Sequence, residues 1–239
     1  MQNRLIPAVL GLLALTISMT ASAEETARNA GHDPDPWQHV NRKIYAFNKA
    51  VDTHAFRPLA KGYRTVTPQV IDDALTRFFQ NLKEPLTVLN DGLQGKGRQA
   101  AGDSARFILN TVTSLGFADL AAKAGLVRHD EDFGQTLGKW GVGSGPYLVL
   151  PFMGPTDLRD GSMLALDGTV NPRNLVSDTS TNIGLFVLEK VDFRADLIPL
   201  EKVIEGDEYL LMRDIYLQRR DFLVNDGKVR DTFLDDSDQ

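Results

Sequence analysis

The chain has 239 residues, 42% of them hydrophobic, and its 26 lysine and arginine residues against 32 aspartate and glutamate residues give a formal net charge of −6. This acidic balance argues against nucleic acid as a partner and against electrostatic capture by anionic lipid, so any attachment to a membrane surface must be apolar. The absence of cysteine excludes disulfides, thiolate metal sites, a cysteine nucleophile and a lipid carried on a cysteine.

The first 23 residues have the pattern of a cleaved secretory signal peptide. Arg4 precedes an apolar run from Ile6 to Ile17, and the small residues Ala21-Ser22-Ala23 stand before Glu24. The apolar run is shorter than the about 20 residues that a transmembrane helix needs. We therefore expect residues 1–23 to direct export and to be removed.

The exported chain is expected to hold a single helical domain over residues 37–225. Residues 24–36 are polar and end in Asp-Pro-Asp-Pro, which predicts a flexible leader before the first helix. Residues 226–239 are rich in aspartate, which predicts an acidic, disordered tail.

Apolar residues recur at helical spacing along most of this domain. Residues 37–51 carry one apolar face, and residues 68–93 carry a broader one that Pro85 interrupts, so two helices joined by a kink or turn are expected there. A helix is also expected over residues 98–113, with an apolar face that we predict to be buried: Ala101, Ala105, Ile108, Leu109 and Val112. Strand-like alternation is scarce, so the predicted fold class is mainly α.

One segment, from Gly134 to Pro155, does not fit a helix. It is dense in glycine and proline, yet it is too apolar for a solvated linker. Irregular chain of this composition is typical of a functional loop that packs against, or lines, something non-aqueous. We predict a Gly/Pro-rich loop or short hairpin that the flanking helices hold beside lipid.

The sequence shows no assembled catalytic, cofactor or metal site. The series Gly141-x-Gly143-x-Gly145 superficially resembles a phosphate-binding loop, but Pro146 follows where a helix would have to begin. Ser144 lacks the spacing of a nucleophile elbow, and the four histidines are scattered without the spacing of metal ligands. We predict that the protein is not an enzyme and uses no cofactor or metal.

Six ordered groups of motifs carry a resemblance to a known family. They are Asn41-Arg42 with Tyr45-x-Phe47-Asn48; Asn81-Leu82-x-Glu84-Pro85; Arg106-Phe107 with Asn110-Thr111; Phe133-Gly134-x-Thr136-Leu137-Gly138 through Gly141-Val142-Gly143-x-Gly145-Pro146-Tyr147 to Leu150-Pro151; Arg159-Asp160; and Tyr216-x-Gln218-Arg219 with Asp221-Phe222. Together they resemble the MlaA (VacJ) family of outer-membrane phospholipid transport proteins of Gram-negative bacteria.

The resemblance implies a single ring-like bundle of helices with an amphipathic central channel, lying in the inner leaflet of the outer membrane. It implies that phospholipid is removed from the outer leaflet and passed to a periplasmic lipid carrier of the Mla pathway, with a trimeric outer-membrane porin as scaffold. By position, Tyr45, Phe47 and Asn48 would lie on an early helix that affects channel control. The loop or hairpin beside the channel would include Trp140, Gly141, Val142, Gly143, Gly145, Pro146, Tyr147 and Pro151.

One departure from the family bears on localisation. Its members are typically lipoproteins with an acylated cysteine, and this chain has no cysteine. We predict that apolar helix faces or a partner hold the protein on the periplasmic side of the outer membrane, with a partly soluble periplasmic distribution as the alternative. Two other functions stay open: a non-transporting envelope protein that docks on a porin, and a phospholipid hydrolase.

Overall fold

A computed structural model describes residues 33–203 and 206–228. The predicted signal peptide, most of the predicted leader and residues 229–239 of the predicted tail lie outside the described residues. Asp35 and Asp226, at the edges of the predicted leader and tail, are part of the packed chain. Asp35 is 1% exposed and accepts hydrogen bonds from Asn41 and Tyr209, whereas Asp226 forms ion pairs with Lys96 and Lys139. Asp35 is thus held by buried polar partners and Asp226 by two ion pairs nearer the surface, while the borders of the leader and tail stay predictions.

The described residues are mainly helical with one short hairpin, which confirms the predicted fold class. The elements are, in chain order, α1 (Gln38–Val51), a π-helical turn (Asp52–Phe56), α2 (Arg57–Val66), α3 (Gln69–Leu93), α4 (Gly97–Ser114), α5 (Leu120–Lys123), α6 (Phe133–Lys139), β1 (Tyr147–Leu150), β2 (Gly154–Asp157), α7 (Leu158–Val170), a 3-10 helix (Pro172–Leu175), α8 (Thr179–Leu197), a 3-10 helix (Ile198–Val203) and α9 (Glu208–Val224).

The hairpin forms within the Gly/Pro-rich segment. β1 and β2 are antiparallel, with Tyr147 opposite Asp157 and Leu150 opposite Gly154. The turn places Phe152 at φ 63° and Gly154 at φ 88°, both in the left-handed region. Glycine reaches that region without steric cost, whereas a phenylalanine there is strained. Of the two predicted alternatives for this segment, a loop or a short hairpin, the structure shows the short hairpin.

Helix α3 runs without interruption through Pro85, so the prediction of two helices over this segment was wrong. Proline removes one backbone donor and usually bends or ends a helix. Here the side chains on both sides of Pro85 are held by packing, since Asn81, Glu84 and Thr87 are buried and α3 packs along α4 over much of its length. Tertiary packing therefore overrides the local preference.

The prediction of the buried face of α4 was also wrong. Of the five predicted residues only Leu109 is half-buried; Ala101, Ala105, Ile108 and Val112 are exposed, and Ile108 and Val112 keep 60% and 79% of their surface. The buried residues of α4 are instead polar: Asp103, Arg106 and Asn110. The helix is amphipathic as predicted, but its polar face points into the protein.

Helices other than α4 also bury polar side chains and expose apolar ones. Among the described residues, polar and charged side chains outnumber apolar ones in the buried set, while large apolar side chains are exposed on most helices. Apolar clusters exist but are small; one is formed by Ala60, Val191 and Ala195, and another by Tyr147, Val149 and Tyr209. No helix in the described ranges is long and apolar enough to cross a membrane.

Candidate functional site

Two asparagines of α1 attach the hairpin to the helix. Asn41, which is buried, donates to the Tyr147 carbonyl (3.0 Å) and accepts from the Val149 N–H (3.0 Å). Asn48 lies two turns further along the same face, donates to the Leu150 carbonyl (2.9 Å) and accepts from the Phe152 N–H (2.8 Å). A side-chain amide satisfies one donor and one acceptor at each end of β1, so α1 sets the position of the hairpin.

The two aromatic residues predicted on α1 have different surroundings. Tyr45 packs against the apolar cluster of Tyr147, Val149 and Tyr209, and its ring meets that of Tyr209 edge to face at 5.6 Å. Phe47 is 45% exposed and meets Phe152 of the hairpin turn edge to face at 5.2 Å. Phe47 and the turn thus form one exposed apolar surface.

The predicted loop residues before the hairpin connect α6 to neighbouring helices. Trp140 is 56% exposed and donates from its indole nitrogen to the Leu93 carbonyl at the end of α3 (3.2 Å). Gly141 has φ 93°, and Val142 donates to the Leu137 carbonyl and accepts from the Arg159 guanidinium. Gly141, Val142 and Gly143 line a recess of about 320 Å³ next to α9.

The predicted hairpin residues range from buried to exposed. Gly145 has φ 68°, and a Cβ there would lie 3.1 Å from the Cβ of Leu158, so this position requires glycine. The Pro146 carbonyl accepts from the Leu158 N–H (3.1 Å). Tyr147 is fully buried, whereas Pro151 is exposed at the turn. The eleven predicted residues therefore form one continuous unit of α1, loop and hairpin.

A buried network of charges lies beneath the recess. Arg220 of α9 forms a double hydrogen bond with Asp132 at the start of α6 (2.6 and 2.9 Å), and it also pairs with Asp160 of α7. Asp160 accepts from Arg159 (2.8 Å) and from the Tyr216 hydroxyl (2.8 Å). The guanidinium groups of Arg220 and Arg159 hold the pKa of Asp160 below its usual value despite burial. This network joins α6, α7 and α9.

A larger cavity lies elsewhere in the described part of the chain and was not predicted from the sequence. It has a volume of about 820 Å³ and is lined by α3, α8 and α9 and by residues 128–131. On α3 its wall is formed at helical spacing by Thr76, Phe79, Gln80 and Lys83, and on α8 by Glu189, Asp192, Phe193 and Asp196. The available signal was a face with the spacing i, i+3, i+4, i+7 on both helices, in which three of the four residues are polar.

Burial and charge shift the titration of groups around this cavity. Burial raises the pKa of Asp192, and the neighbouring carboxylates Asp72 and Asp196 raise it further, although the Tyr63 hydroxyl donates to it at 2.9 Å. Burial likewise lowers the pKa of Lys190. The cavity thus holds ionisable groups of both signs in partly desolvated positions. Among the described residues, no group of three potential His, Cys, Asp or Glu ligands is placed to hold a metal ion.

The predicted residues and the large cavity are therefore separate parts of the molecule. Gly141, Val142 and Gly143 line the smaller recess, and none of the eleven predicted residues is among the described residues that line the larger cavity. The predicted unit is linked to α9, which borders both spaces. Leu217 and Arg220 of α9 line the recess, and Arg219 and Leu223 line the large cavity.

Comparison with known proteins gives consistent matches. The family model described as MlaA lipoprotein matches residues 33–223. The chain is 34% identical over 237 residues to the intermembrane phospholipid transport system lipoprotein MlaA of Escherichia coli (strain K12), covering 96% of this chain and 92% of that protein. It is 30% identical to the protein of the same name from Haemophilus influenzae, over 92% of each.

A solved structure reported as the structural basis for maintenance of bacterial outer membrane lipid asymmetry is similar to this one. The TM-score is 0.71 and the sequences are 33% identical, with 80% of this chain and 99% of that chain covered. The similarity thus extends to nearly the whole of the solved chain.

Proposed function

This chain belongs to the MlaA lipoprotein family, and on that premise we propose that it acts in intermembrane phospholipid transport. It removes phospholipid from the outer leaflet of the outer membrane and so maintains lipid asymmetry. The names of its relatives in Escherichia coli and Haemophilus influenzae and the subject of the similar solved structure support this function.

The observation that carries the proposal is the inverted distribution of polar and apolar side chains. Exposed apolar surface of this extent is costly in water but is matched by acyl chains. Val66, Val70, Val112 and Leu175 each keep more than three quarters of their surface, with exposed fractions of 78%, 78%, 79% and 86%. Polar groups face a cavity of about 820 Å³. A phospholipid needs both surfaces, because its tails are apolar and its headgroup is charged.

The finer mechanism is part of the proposal. The cavity between α3, α8 and α9 is the passage for the headgroup, and it belongs to the amphipathic channel of a ring-like bundle in the inner leaflet. Among the described residues, the unit of α1, loop and hairpin does not line this cavity; it packs against α9, which does, and through α9 it affects the opening of the passage. The phospholipid is handed to a periplasmic carrier, and a trimeric porin holds the protein in place. No ATP site is visible in the sequence, so the direction of transport follows the lipid gradient or the carrier.

The test uses a strain of the source bacterium in which the gene is deleted. The wild-type gene should restore lipid asymmetry, measured by chemical labelling of phospholipid at the cell surface. Gln80→Trp fills the cavity from α3 and should fail to restore it, while Gln218→Trp, on an exposed position of α9, should restore it. Membrane fractionation and circular dichroism show whether each variant is present and folded.

The outcomes separate the competing functions. Full restoration by Gln80→Trp would overturn the cavity as the passage. A purified wild-type protein that repeatedly carries no phospholipid after mild extraction, together with unchanged asymmetry on deletion, would overturn transport in favour of a protein that only docks on a porin. Release of fatty acid from labelled phospholipid would instead support the hydrolase alternative.

A further inference from the structure

The charged residues that line the large cavity fall into two groups. Some already form ion pairs within the protein: Lys83, Arg128, Glu131, Glu189 and Asp226. Others form no ion pair within residues 33–203 and 206–228: Lys190, Arg219, Asp130, Asp192 and Asp196. The second group contains both signs, so the cavity offers charges of both kinds to an occupant.

Positive charge is in excess around Glu189 of α8. Lys83 lies 3.4 Å from one oxygen of Glu189, and Arg173 lies 3.0 Å from the other. Lys190 follows directly, with its ammonium 5.5 Å from the centre of the Phe186 ring. One carboxylate therefore faces three cations. Burial lowers the pKa of Lys190, and the charges of Lys83 and Arg173 lower it further, although the charge of Glu189 acts in the opposite direction.

Negative charge is in excess further along the same helix. Asp192 is 4% exposed and accepts hydrogen bonds from the neutral hydroxyls of Tyr63 (2.9 Å) and Thr76 (3.0 Å). Asp196 lies one turn beyond it and is exposed to the cavity. Burial and the charge of Asp72 raise the pKa of both residues, although Arg64 acts in the opposite direction on Asp196, so a cation placed between the two carboxylates would be attracted by both.

We propose that this cavity prefers a zwitterionic, amine-bearing phospholipid headgroup to a net anionic one. The phosphate is held at Lys190 and the ammonium at Asp192 and Asp196, an assignment that rests on the proposed transport function. At a rise of 1.5 Å per residue, Asp192 and Asp196 lie about 3 and 9 Å along the α8 axis from Lys190. All three side chains line the same cavity, and the phosphate and amine of an ethanolamine headgroup, separated by two carbon atoms, are short enough to lie between its basic and acidic ends.

A glycerol headgroup presents the same phosphate without the cation. It would leave Asp192 and Asp196 unneutralised next to an additional negative charge, in a site where burial already disfavours their ionised forms. The discrimination thus comes from the acidic end of the cavity, whereas the basic end binds both classes of lipid alike.

The test loads the purified full chain, in mild detergent, with equal amounts of phosphatidylethanolamine and phosphatidylglycerol of identical acyl chains. Bound lipid is then extracted and measured by mass spectrometry. Wild type should be enriched in phosphatidylethanolamine by about fivefold, the ratio that roughly 1 kcal/mol produces. Asp196→Lys should bring the ratio to parity or below, while Asp214→Lys, an equal charge change outside the cavity lining, should leave it unchanged.

A second variant tests the orientation of the headgroup. Lys190→Gln should lower the amounts of both lipids by a similar factor, since both contain phosphate; a change in the ratio alone would contradict the assignment. Equal binding of the two lipids by wild type, unaltered by Asp196→Lys, would overturn the preference and leave transport standing. Absence of either lipid from every sample would count against the transport function itself.

Discussion

At the scale of single residues, Asn41 makes the strongest test of how the hairpin is held. Its amide donates to the Asp35 carboxylate (2.8 Å) and to the Tyr147 carbonyl, and it accepts from the Val149 N–H, all in a buried position. Asn41→Ala leaves these three partners unsatisfied, which should lower the free energy of unfolding by about 2 to 4 kcal/mol. Thermal or denaturant unfolding in detergent measures the loss.

A second asparagine variant serves as the control. It shows how much stability is lost when an asparagine that does not hold the hairpin is replaced. Asn225→Ala, at the end of α9, removes an amide whose bonds are exposed and local. Its expected cost is below about 1 kcal/mol. Similar losses for the two variants would mean that the hairpin is not held by Asn41.

Glu84 gives a prediction about pH. It is 2% exposed, and its carboxylate lies 3.5 Å from Arg106 and 3.6 Å from Arg128. Burial raises the pKa of Glu84 to about 7 despite these two cations. The folded protein therefore keeps a proton that the unfolded chain loses near pH 4, so stability from this group falls as pH rises from about 4 to 7, by at most about 1.4 kcal/mol per pH unit.

The variant Glu84→Gln removes this titration. Its free energy of unfolding should decrease less between pH 5 and pH 7.5 than that of wild type, whereas Asp214→Asn, at a half-exposed surface carboxylate, should follow the wild-type curve. The difference between variant and wild type isolates Glu84 from other buried carboxylates. Parallel curves for Glu84→Gln and wild type would show that Glu84 stays ionised in the folded protein.

The asparagines show what the sequence leaves open at this scale. Asn48, Asn81, Asn90 and Asn110 interrupt apolar stripes, which is equally consistent with buried hydrogen bonds and with the lining of a pore. The structure gives all four of them hydrogen bonds to other segments; Asn48 binds the hairpin, Asn81 binds Thr111, Asn90 accepts from Thr136, and Asn110 binds Asp119. The partners are distant in sequence or in loops, so residue type and spacing could not identify them.

At the scale of elements, the glycines of α6 explain how three helices meet. A Cβ on Gly134 would lie 2.8 Å from the Asp160 Cγ and 2.9 Å from the Arg220 guanidinium, and one on Gly138 would lie 2.7 Å from Arg159. These glycines are four residues apart, so one face of α6 is free of side chains where the buried ion network approaches. Glycine is present here for close approach and not for a turn.

Substitution at Gly134 should therefore disrupt this junction. Gly134→Ala forces the Asp160 carboxylate and the Arg220 guanidinium apart and should destabilise the fold by about 2 to 3 kcal/mol. Gly168→Ala, in α7, meets no atom within 4 Å and should instead stabilise the fold by about 0.5 to 1 kcal/mol. Unfolding curves of both variants measure these values; a neutral Gly134→Ala would show that α6 can move away from α7 without cost.

Helix positions were predictable, but the direction of their faces was not. Periodicity predicted α1 and α4 close to their observed bounds, because an amphipathic stripe identifies a helix whatever covers the stripe. It did not show that the apolar face of α4 is exposed, since a protein core and acyl chains make the same demand on side chains. Pro85 does not end α3, because the packing of α3 on α4 outweighs the local effect of the proline.

At the scale of the whole molecule, the candidate site has two parts. The family resemblance identified the first part and did not identify the second. The unit of α1, loop and hairpin was recognisable from local motifs. The large cavity depends on the placement of α3 relative to α8 and α9, and the residues of α3 that line it are more than a hundred positions from those of the other two helices. Neither helical spacing nor composition shows which polar helix faces meet in the folded protein, so the cavity could not be predicted from the sequence.

The apolar exterior provides a test of membrane attachment on one helix. Ile108→Ser with Val112→Ser removes two exposed apolar side chains from α4 without touching its buried face. If acyl chains cover this face, the loss of about 2 to 4 kcal/mol should weaken binding to phospholipid vesicles by about thirtyfold or more. Vesicle flotation measures the bound fraction.

The matched control is Ala101→Ser with Ala105→Ser, two exposed positions of the same helix that lose little apolar area. Because serine is a poorer helix former than alanine, this control bears at least as large a cost in helix propensity as the test variant. Weaker vesicle binding only for Ile108→Ser with Val112→Ser therefore assigns the effect to lost apolar contact. Equal binding by all three proteins would show that α4 does not face lipid, and the exposed apolar surface would then have to be covered by another protein.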